Sequence, residues 1–117
     1  MIDIESIELS QNDEKRLQNK LVGGVILFSR NYKNKKQITS LITSIRKVKK
    51  NILIAVDHEG GRVQRFKDHF TLIPAMSTLG DLFIKSPESA LKKAKEKYPP
   101  RYRALYYRPE VKLALAA

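Results

Sequence analysis

Two continuous apolar runs and one amphipathic stripe dominate the pattern of the chain. The runs cover residues 22–28 and 52–56, and in neither do apolar and polar positions alternate. A continuous apolar run indicates a strand covered on both faces, as in a parallel sheet. Between the runs, apolar side chains recur at the spacing of one helix face, at Ile38, Leu41, Ile42 and Ile45. The pattern predicts a strand–helix–strand unit with a right-handed crossover.

Further helices are predicted on either side of this unit. Ser10 stands three residues before Asp13, the spacing of a capping box, and predicts a helix over Gln11–Gln18. The Pro87-Glu88 pair after Ser86 predicts the start of another helix, which continues to residue 97 before Pro99-Pro100. A short helix is predicted after Pro109. The fold class is α/β, with either a doubly wound sheet or a barrel as its architecture.

Candidate chemistry follows the second predicted strand. Ligands of α/β folds bind beyond the carboxyl ends of the strands, where Asp57 and Glu59 emerge. The Gly60-Gly61 pair permits a positive φ, and Arg62 and Arg65 offer forked hydrogen bonds. An acid and an arginine around a turn suit a polyhydroxylated ligand, since a sugar hydroxyl both donates and accepts. The spacing alone fits equally well a plain turn with a surface cluster of ion pairs.

A resemblance separates these alternatives. It is carried by residues 21–32, by residues 54–66 and by the Phe70-Thr71 and Ile73-Pro74 pairs, and its most specific block is Val56-Asp57-His58-Glu59-Gly60-Gly61-Arg62-Val63-Gln64-Arg65-Phe66. These residues resemble the start of glycoside hydrolase family 3 enzymes, in particular its bacterial cytoplasmic β-N-acetylhexosaminidases. The resemblance runs from about residue 2 to residue 79. We therefore divide the chain into a partial family 3 barrel domain, residues 1–80, and a divergent basic tail, residues 81–117.

The resemblance implies a (β/α)₈ barrel of which this chain is an incomplete amino-terminal portion. The implied activity is removal of terminal N-acetylglucosamine from muropeptides during peptidoglycan recycling, with retention of configuration and with no metal or organic cofactor. It assigns Asp57 and Arg65 to binding the hydroxyls of the terminal sugar. Glu59 and Arg62 are expected to brace the loop, and neither His58 nor His69 is expected to be catalytic. The catalytic groups of the family fall on later parts of the barrel, so we expect none here.

The charge of the chain raises an alternative. The formal net charge is +11, and residues 85–117 hold 9 Lys and Arg against 3 Asp and Glu, compared with 14 against 9 in residues 1–84. In the tail, Tyr102, Tyr106 and Tyr107 alternate with arginines, which would suit a small RNA- or DNA-binding protein. No nucleic-acid-binding motif accompanies the charge, so a basic, poorly structured tail is the favoured interpretation.

The remaining expectations concern the stability of the chain and its location in the cell. A complete barrel takes on the order of 200–250 residues, whereas the chain has 117. A truncation or frameshift would give such a chain, and an open sheet edge predicts marginal stability and self-association. A non-catalytic remnant that binds N-acetylglucosamine weakly is a further alternative. The sequence has no cysteine and no membrane span, and we expect a cytoplasmic location.

Overall fold

The computed structural model of the chain describes residues 1–97. Its centre is a three-stranded parallel sheet in the order β1-β2-β3, formed by Ile2–Asp3, Gly24–Leu27 and Leu53–Val56. Val25 is paired with Ile2 on one side and with Ile54 on the other. The α/β class and the strand–helix–strand unit are confirmed. The two predicted strands are shorter than their apolar runs, and β1 was not predicted because two residues carry too little pattern.

Two helices accompany the sheet. Helix α1, Gln11–Gln18, has the predicted bounds and the predicted capping box, in which the Ser10 hydroxyl accepts from the Asp13 amide at 3.1 Å. Helix α2, Lys35–Val48, is capped by Asn34 and follows a 3₁₀ turn, Ser29–Asn31. It buries Ile38, Leu41 and Ile45, three of the four side chains of its predicted stripe.

The core lies within this first half of the chain. Buried side chains from α1, α2, β2 and β3, together with the residue after β1 and the residue before β3, form one cluster with Phe66, which comes from beyond β3. Its members are Ile4, Leu17, Val25, Leu27, Ile38, Leu41, Ile45, Ile52, Ile54 and Phe66. Val25, Leu27 and Ile54 of the strands belong to this cluster, whereas Leu53 of β3 is 40% exposed. Strand β3 is therefore not covered on both faces, although its continuous apolar run predicted this.

Ionic contacts hold the short first strand. The Asp3 carboxylate accepts from Arg16 of α1 at 3.1 Å and from Arg30 of the 3₁₀ turn at 2.5 Å. The hydrogen bond from Arg16 is the main reason that the pKa of Asp3 is lowered from its ordinary value. Asp3 thereby links β1 to the two elements on either side of β2 in the chain.

The second half of the described chain is arranged differently. After Asp57, a small antiparallel hairpin joins β4, His58–Gly60, to β5, Val63–Gln64. Two helices follow, α3, Met76–Lys85, and α4, Pro87–Lys97. The α4 helix was predicted, whereas the hairpin and α3 were not. The α3 helix has no fully buried residue, and Phe83 and Ile84 are largely exposed.

Among residues 1–97, no helix has the length and apolar character needed to cross a lipid bilayer. The helix predicted after Pro109 and the tyrosine–arginine stretch from Arg101 to Arg108 lie outside the described residues.

Candidate functional site

The structure brings Asp57 and Arg65 together at the carboxyl ends of the parallel strands. Asp57 directly follows β3, and Arg65 directly follows β5. The Arg65 Nη2 atom donates to the Asp57 Oδ2 atom at 3.2 Å, and the Arg65 amide donates to the Asp57 carbonyl at 3.4 Å. The Asp57 and Arg65 side chains are 39% and 31% exposed, so both remain accessible to a ligand. The hairpin therefore reverses the direction of the chain and brings Arg65 beside Asp57, although the two residues are eight positions apart.

The turn of this hairpin depends on its two glycines. Gly60 and Gly61 have φ values of 94° and 57°, a region that side chains with a Cβ rarely adopt. A Cβ on Gly60 would lie 2.5 Å from the Pro74 carbonyl oxygen, and one on Gly61 would lie 2.7 Å from the Ala75 Cβ. The expected positive φ is confirmed. The glycines also let the turn lie directly on the segment that leads into α3, where the Gly61 amide donates to the Ile73 carbonyl at 2.8 Å.

Gln64 closes the loop that follows. Its side chain is buried, and its Nε2 atom donates to the carbonyls of Phe66 and Thr71 at 3.1 and 3.0 Å. Its Oε1 atom accepts from the Ile73 amide at 2.9 Å. One amide thus pairs three backbone groups that would otherwise be buried without partners. Sequence reasoning did not find Gln64, because a glutamine in a polar segment carries no pattern of its own.

The bracing role expected of Glu59 and Arg62 belongs to Gln64. Within residues 1–97, neither the Glu59 nor the Arg62 side chain makes a hydrogen bond or an ion pair. Of the surface ion-pair cluster that the spacing also allowed, only the pair between Asp57 and Arg65 forms in the described part of the chain.

A cluster of aromatic rings packs around the loop that follows β5. Tyr32 stacks on Phe66 with ring centroids 4.8 Å apart, and Phe70 meets Tyr32 and Phe66 at 5.6 and 5.8 Å. The His58 ring lies 5.8 Å from Phe70. Both His58 nitrogens are buried without a hydrogen-bond partner, and desolvation lowers the pKa of the imidazole. His58 is therefore favoured as a neutral packing group.

Arg65 is also held by the ring of Phe28. The Arg65 Cζ atom lies 5.6 Å from the ring centroid, and Arg30 lies over the same ring at 4.8 Å. The Arg65 Nε atom is buried without an acceptor. One part of the guanidinium thus faces Asp57, while another part retains an unused donor.

Other candidate chemistry is sparse. Within residues 1–97 there is no group of three or more histidine, cysteine or acidic residues that could hold a metal ion. His69, in the loop, has a φ of 61° and contributes no contact to the pair at the strand ends.

Comparison with known proteins places the described part of the chain in a family. The Glycosyl hydrolase family 3 N terminal domain matches residues 1–97. A protein named Beta-hexosaminidase from Bordetella pertussis is 48% identical over 98 residues, which cover 82% of this chain and 28% of that protein. A Beta-hexosaminidase from Thiobacillus denitrificans is 48% identical over 97 residues, covering 82% of this chain and 27% of that protein.

Solved structures similar to this chain come from the same group of enzymes. Native NagZ from Neisseria gonorrhoeae superposes with a TM-score of 0.77 and 40% identity, over 83% of this chain and 29% of that chain. NagZ from the same organism in complex with N-trifluoroacetyl-D-glucosamine gives a TM-score of 0.73 and 43% identity, over 80% and 28%. The chain thus spans little more than a quarter of the length of these relatives. On the match over residues 1–97 and these identities, the chain belongs to glycosyl hydrolase family 3, as part of its N-terminal domain.

Proposed function

We propose that this chain supplies the part of a β-N-acetylhexosaminidase that holds the terminal sugar of the substrate. The family membership and the relatives named Beta-hexosaminidase support this assignment. A similar structure with bound N-trifluoroacetyl-D-glucosamine supports an N-acetylglucosamine-type sugar as the ligand. The proposed substrate is a muropeptide with N-acetylglucosamine at its end, and the proposed location is the cytoplasm.

One observation carries the proposal: Asp57 and Arg65 form a partly exposed pair at the strand ends. The carboxylate accepts a hydrogen bond from a sugar hydroxyl, and the guanidinium donates to the oxygen of the same or the next hydroxyl. Because the two groups also contact each other, each holds the other in position before the sugar binds. Such preorganisation lowers the cost of ordering side chains on binding.

The proposal assigns no catalytic residue to this chain. Retaining hydrolysis needs a nucleophile and a second group that acts first as acid and then as base. We assign both to parts of the family fold beyond these 117 residues. Binding without cleavage is therefore the property expected of the isolated chain.

Titration with N-acetylglucosamine, followed by amide chemical shifts, tests the site. We expect shifts concentrated at Asp57 and Arg65, with weak affinity because one pair makes few contacts. Asp57→Asn should abolish these shifts, since an amide cannot replace the charged partner of Arg65. Asp81→Asn, on α3, is the matched control and should leave them unchanged. Shifts that survive Asp57→Asn would contradict the proposed site, and cleavage of a chromogenic N-acetylglucosaminide by the isolated chain would contradict the absence of catalytic groups.

We also propose self-association of the isolated chain. Strand β3 ends the sheet order on one side, and an edge strand presents unpaired backbone groups to other chains. Leu72, Phe83, Ile84 and Leu91 are more than half exposed. Sedimentation velocity should show oligomers that grow with concentration, and a monomer at every concentration would contradict this part.

A further inference from the structure

The last two described helices share a face that contains an apolar hollow. Helix α3 packs against α4, and Ala90 of α4 is only 5% exposed where the two helices meet. The hollow has a volume of about 340 Å³ and is bordered by apolar side chains of both helices, among them Leu79, Phe83, Leu91 and Ala94. Phe83 and Leu91 remain 60% and 56% exposed. Contiguous exposed apolar surface is typical of contact sites.

A stripe of acidic and basic side chains borders this hollow on α4. Its members follow one another at the spacing of a single helix face and line one surface depression; they are Glu88, Leu91, Lys92, Lys95 and Glu96. We call this set the α4 stripe. Its four charged side chains are exposed, and none of them forms an ion pair with any of residues 1–97. The stripe therefore carries unmatched charges next to exposed apolar side chains.

The order of the charges in the stripe indicates the kind of partner. Two acidic and two basic side chains give the stripe no net charge, so it does not favour a polyanion such as nucleic acid. Lys92 stands four residues before Glu96, where opposite charges on one helix attract each other. Glu88 and Lys95 remain as ends of opposite sign, seven residues or about 10 Å apart along the helix. A two-fold rotation places each end against the opposite end of an identical stripe.

From the apolar hollow and the ends of opposite sign we infer that this face binds a second copy of the chain, in a two-fold dimer with antiparallel α4 helices. The axis passes beside Leu91, midway between Glu88 and Lys95. Leu91 and Phe83 of each copy pack into the hollow of the other, and two identical ion pairs complete the contact. The inference is independent of the proposed sugar site. It is also separate from association through the β3 edge, because a two-fold contact closes at two chains, whereas an edge strand can continue to add chains.

The size of the face sets the expected affinity. Helices α3 and α4 have 10 and 11 residues, so each is roughly 15 Å long. With packed helices 8–10 Å apart, the shared face measures roughly 15 by 20 Å. This is less than the about 800 Å² per partner that a stable complex of standard size buries. We therefore expect a dissociation constant on the order of 100 μM.

Complementary charge variants, measured by sedimentation equilibrium, test the inference. Glu88→Lys makes both ends of the stripe basic and Lys95→Glu makes both ends acidic, so each variant alone should dimerise roughly tenfold more weakly than the unaltered chain. An equimolar mixture of the two should recover the affinity to within about threefold, because opposite ends then meet again. Lys47→Glu, the same charge change on an exposed position of α2, is the matched control and should dimerise like the unaltered chain.

A disulfide cross-link gives a second test that does not use the ion pairs. The chain has no cysteine, so a single introduced thiol reports one contact. Lys92→Cys lies beside the axis and should form a covalent dimer at least about tenfold faster under mild oxidation than Lys36→Cys, which is exposed on α2. Circular dichroism verifies that each variant is folded, and the cross-link decides the question if a charge variant unfolds.

The outcomes separate this dimer from association through the sheet edge. Recovery of affinity in the mixture, with fast cross-linking through Lys92→Cys, would support the inference. A mixture as weak as its components, or equal cross-linking rates for the two cysteine variants, would overturn it. Leu53→Lys alters the β3 edge alone. If it removes association while both charge variants associate like the unaltered chain, the inference is wrong and the edge contact stands, and a chain that stays monomeric at about 1 mM would contradict both.

Discussion

The described chain divides at Asp57 into two regions that differ in packing. Residues 1–56 contain the parallel sheet, α1, α2 and every member of the core cluster except Phe66. Residues 57–97 contain the site, a hairpin of two short strands, and a helix pair with large apolar side chains exposed. The first region is stabilised by burial of apolar area, whereas the second is held by glycine contacts, one buried amide and an aromatic cluster. The candidate site begins at Asp57, the first residue after the packed region.

This difference shows how a loosely packed segment can still present a defined site. Phe66 inserts into the core of the first region, and Tyr32 of the first region stacks on it. Arg65 is the residue before Phe66, so the core fixes its position directly. The positions of the Asp57 and Arg65 side chains are defined because both residues adjoin the packed region, and not because residues 57–97 are themselves well packed.

Apolar truncation should affect the two regions most unequally. Ile54→Ala, at a side chain that is 0% exposed, should lower the free energy of unfolding by about 3 kcal/mol, because a buried cavity remains. Ile84→Ala, at a side chain that is 84% exposed, should change it by less than about 0.5 kcal/mol. Urea titration of both variants measures the contrast. Equal losses would show that α3 is packed in solution and would end the comparison.

Glycine substitutions should have opposite signs in the hairpin and in α3. Gly60→Ala should lower the free energy of unfolding by about 2 kcal/mol, because its φ of 94° is strained for alanine and the Cβ meets the Pro74 carbonyl. Gly80→Ala meets nothing within 4 Å and should raise it by about 0.5–1 kcal/mol, since alanine favours a helix interior. Thermal unfolding followed by circular dichroism measures both changes. A neutral Gly60→Ala would mean that the turn does not rest on residues 73–75.

Removing the buried amide should loosen the site and spare the sheet. Gln64→Leu leaves the Ile73 amide and two carbonyls without partners, for an expected loss of about 2 kcal/mol. Hydrogen exchange should rise over residues 64–73 and stay slow in β2 and β3. Gln18→Leu, at an exposed position on α1, is the control. Uniformly faster exchange would indicate that the two regions unfold as one unit.

The smallest expected effect is on pH dependence. Because burial lowers the pKa of His58 in the folded chain, the unfolded chain binds more protons as pH falls below about 6.5. Stability contributed by neutral His58 is therefore complete above that pH and is lost as the pH falls towards the lowered folded pKa. His58→Phe should flatten the dependence of the unfolding free energy on pH between about 7 and 5. An unchanged slope in His58→Phe would contradict the assignment.

Most of the packed region could be predicted from sequence because α1, α2, β2 and β3 each have a periodic or capping signal. The apolar stripe predicted α2 and its buried face, and the continuous apolar runs predicted β2 and β3. The Ser10–Asp13 box gave the bounds of α1 to the residue. Strand β1 was not predicted because its two residues form a strand only by pairing with β2, and this tertiary contact leaves no local pattern in the sequence.

The second region gave weaker signals. Helix α3 was missed because Ala75 offers no side-chain cap and Gly80 interrupts the helical pattern. The hairpin could have been found, since a Gly-Gly pair between extended segments favours a tight β-turn. Asp57 and Arg65 were found through the resemblance, and their sugar-binding role stays a prediction. The cleft that Ser29 and Lys67 line depends on side chains from separate elements, and no sequence pattern shows that these two residues border the same space.

The ring of Phe28 has a consequence for how the sheet and the site depend on each other. The ring is contacted both by Arg30, which pairs with Asp3 of the first strand, and by Arg65 of the candidate site, at 4.8 and 5.6 Å from its centroid. Loss of the pair between Asp3 and Arg30 would leave Arg30 free to move from the ring and would change the surroundings of the second guanidinium. The position of the Arg65 guanidinium is therefore coupled through one ring to the ion pair that holds β1, so a substitution at Asp3 is expected to reach the candidate site.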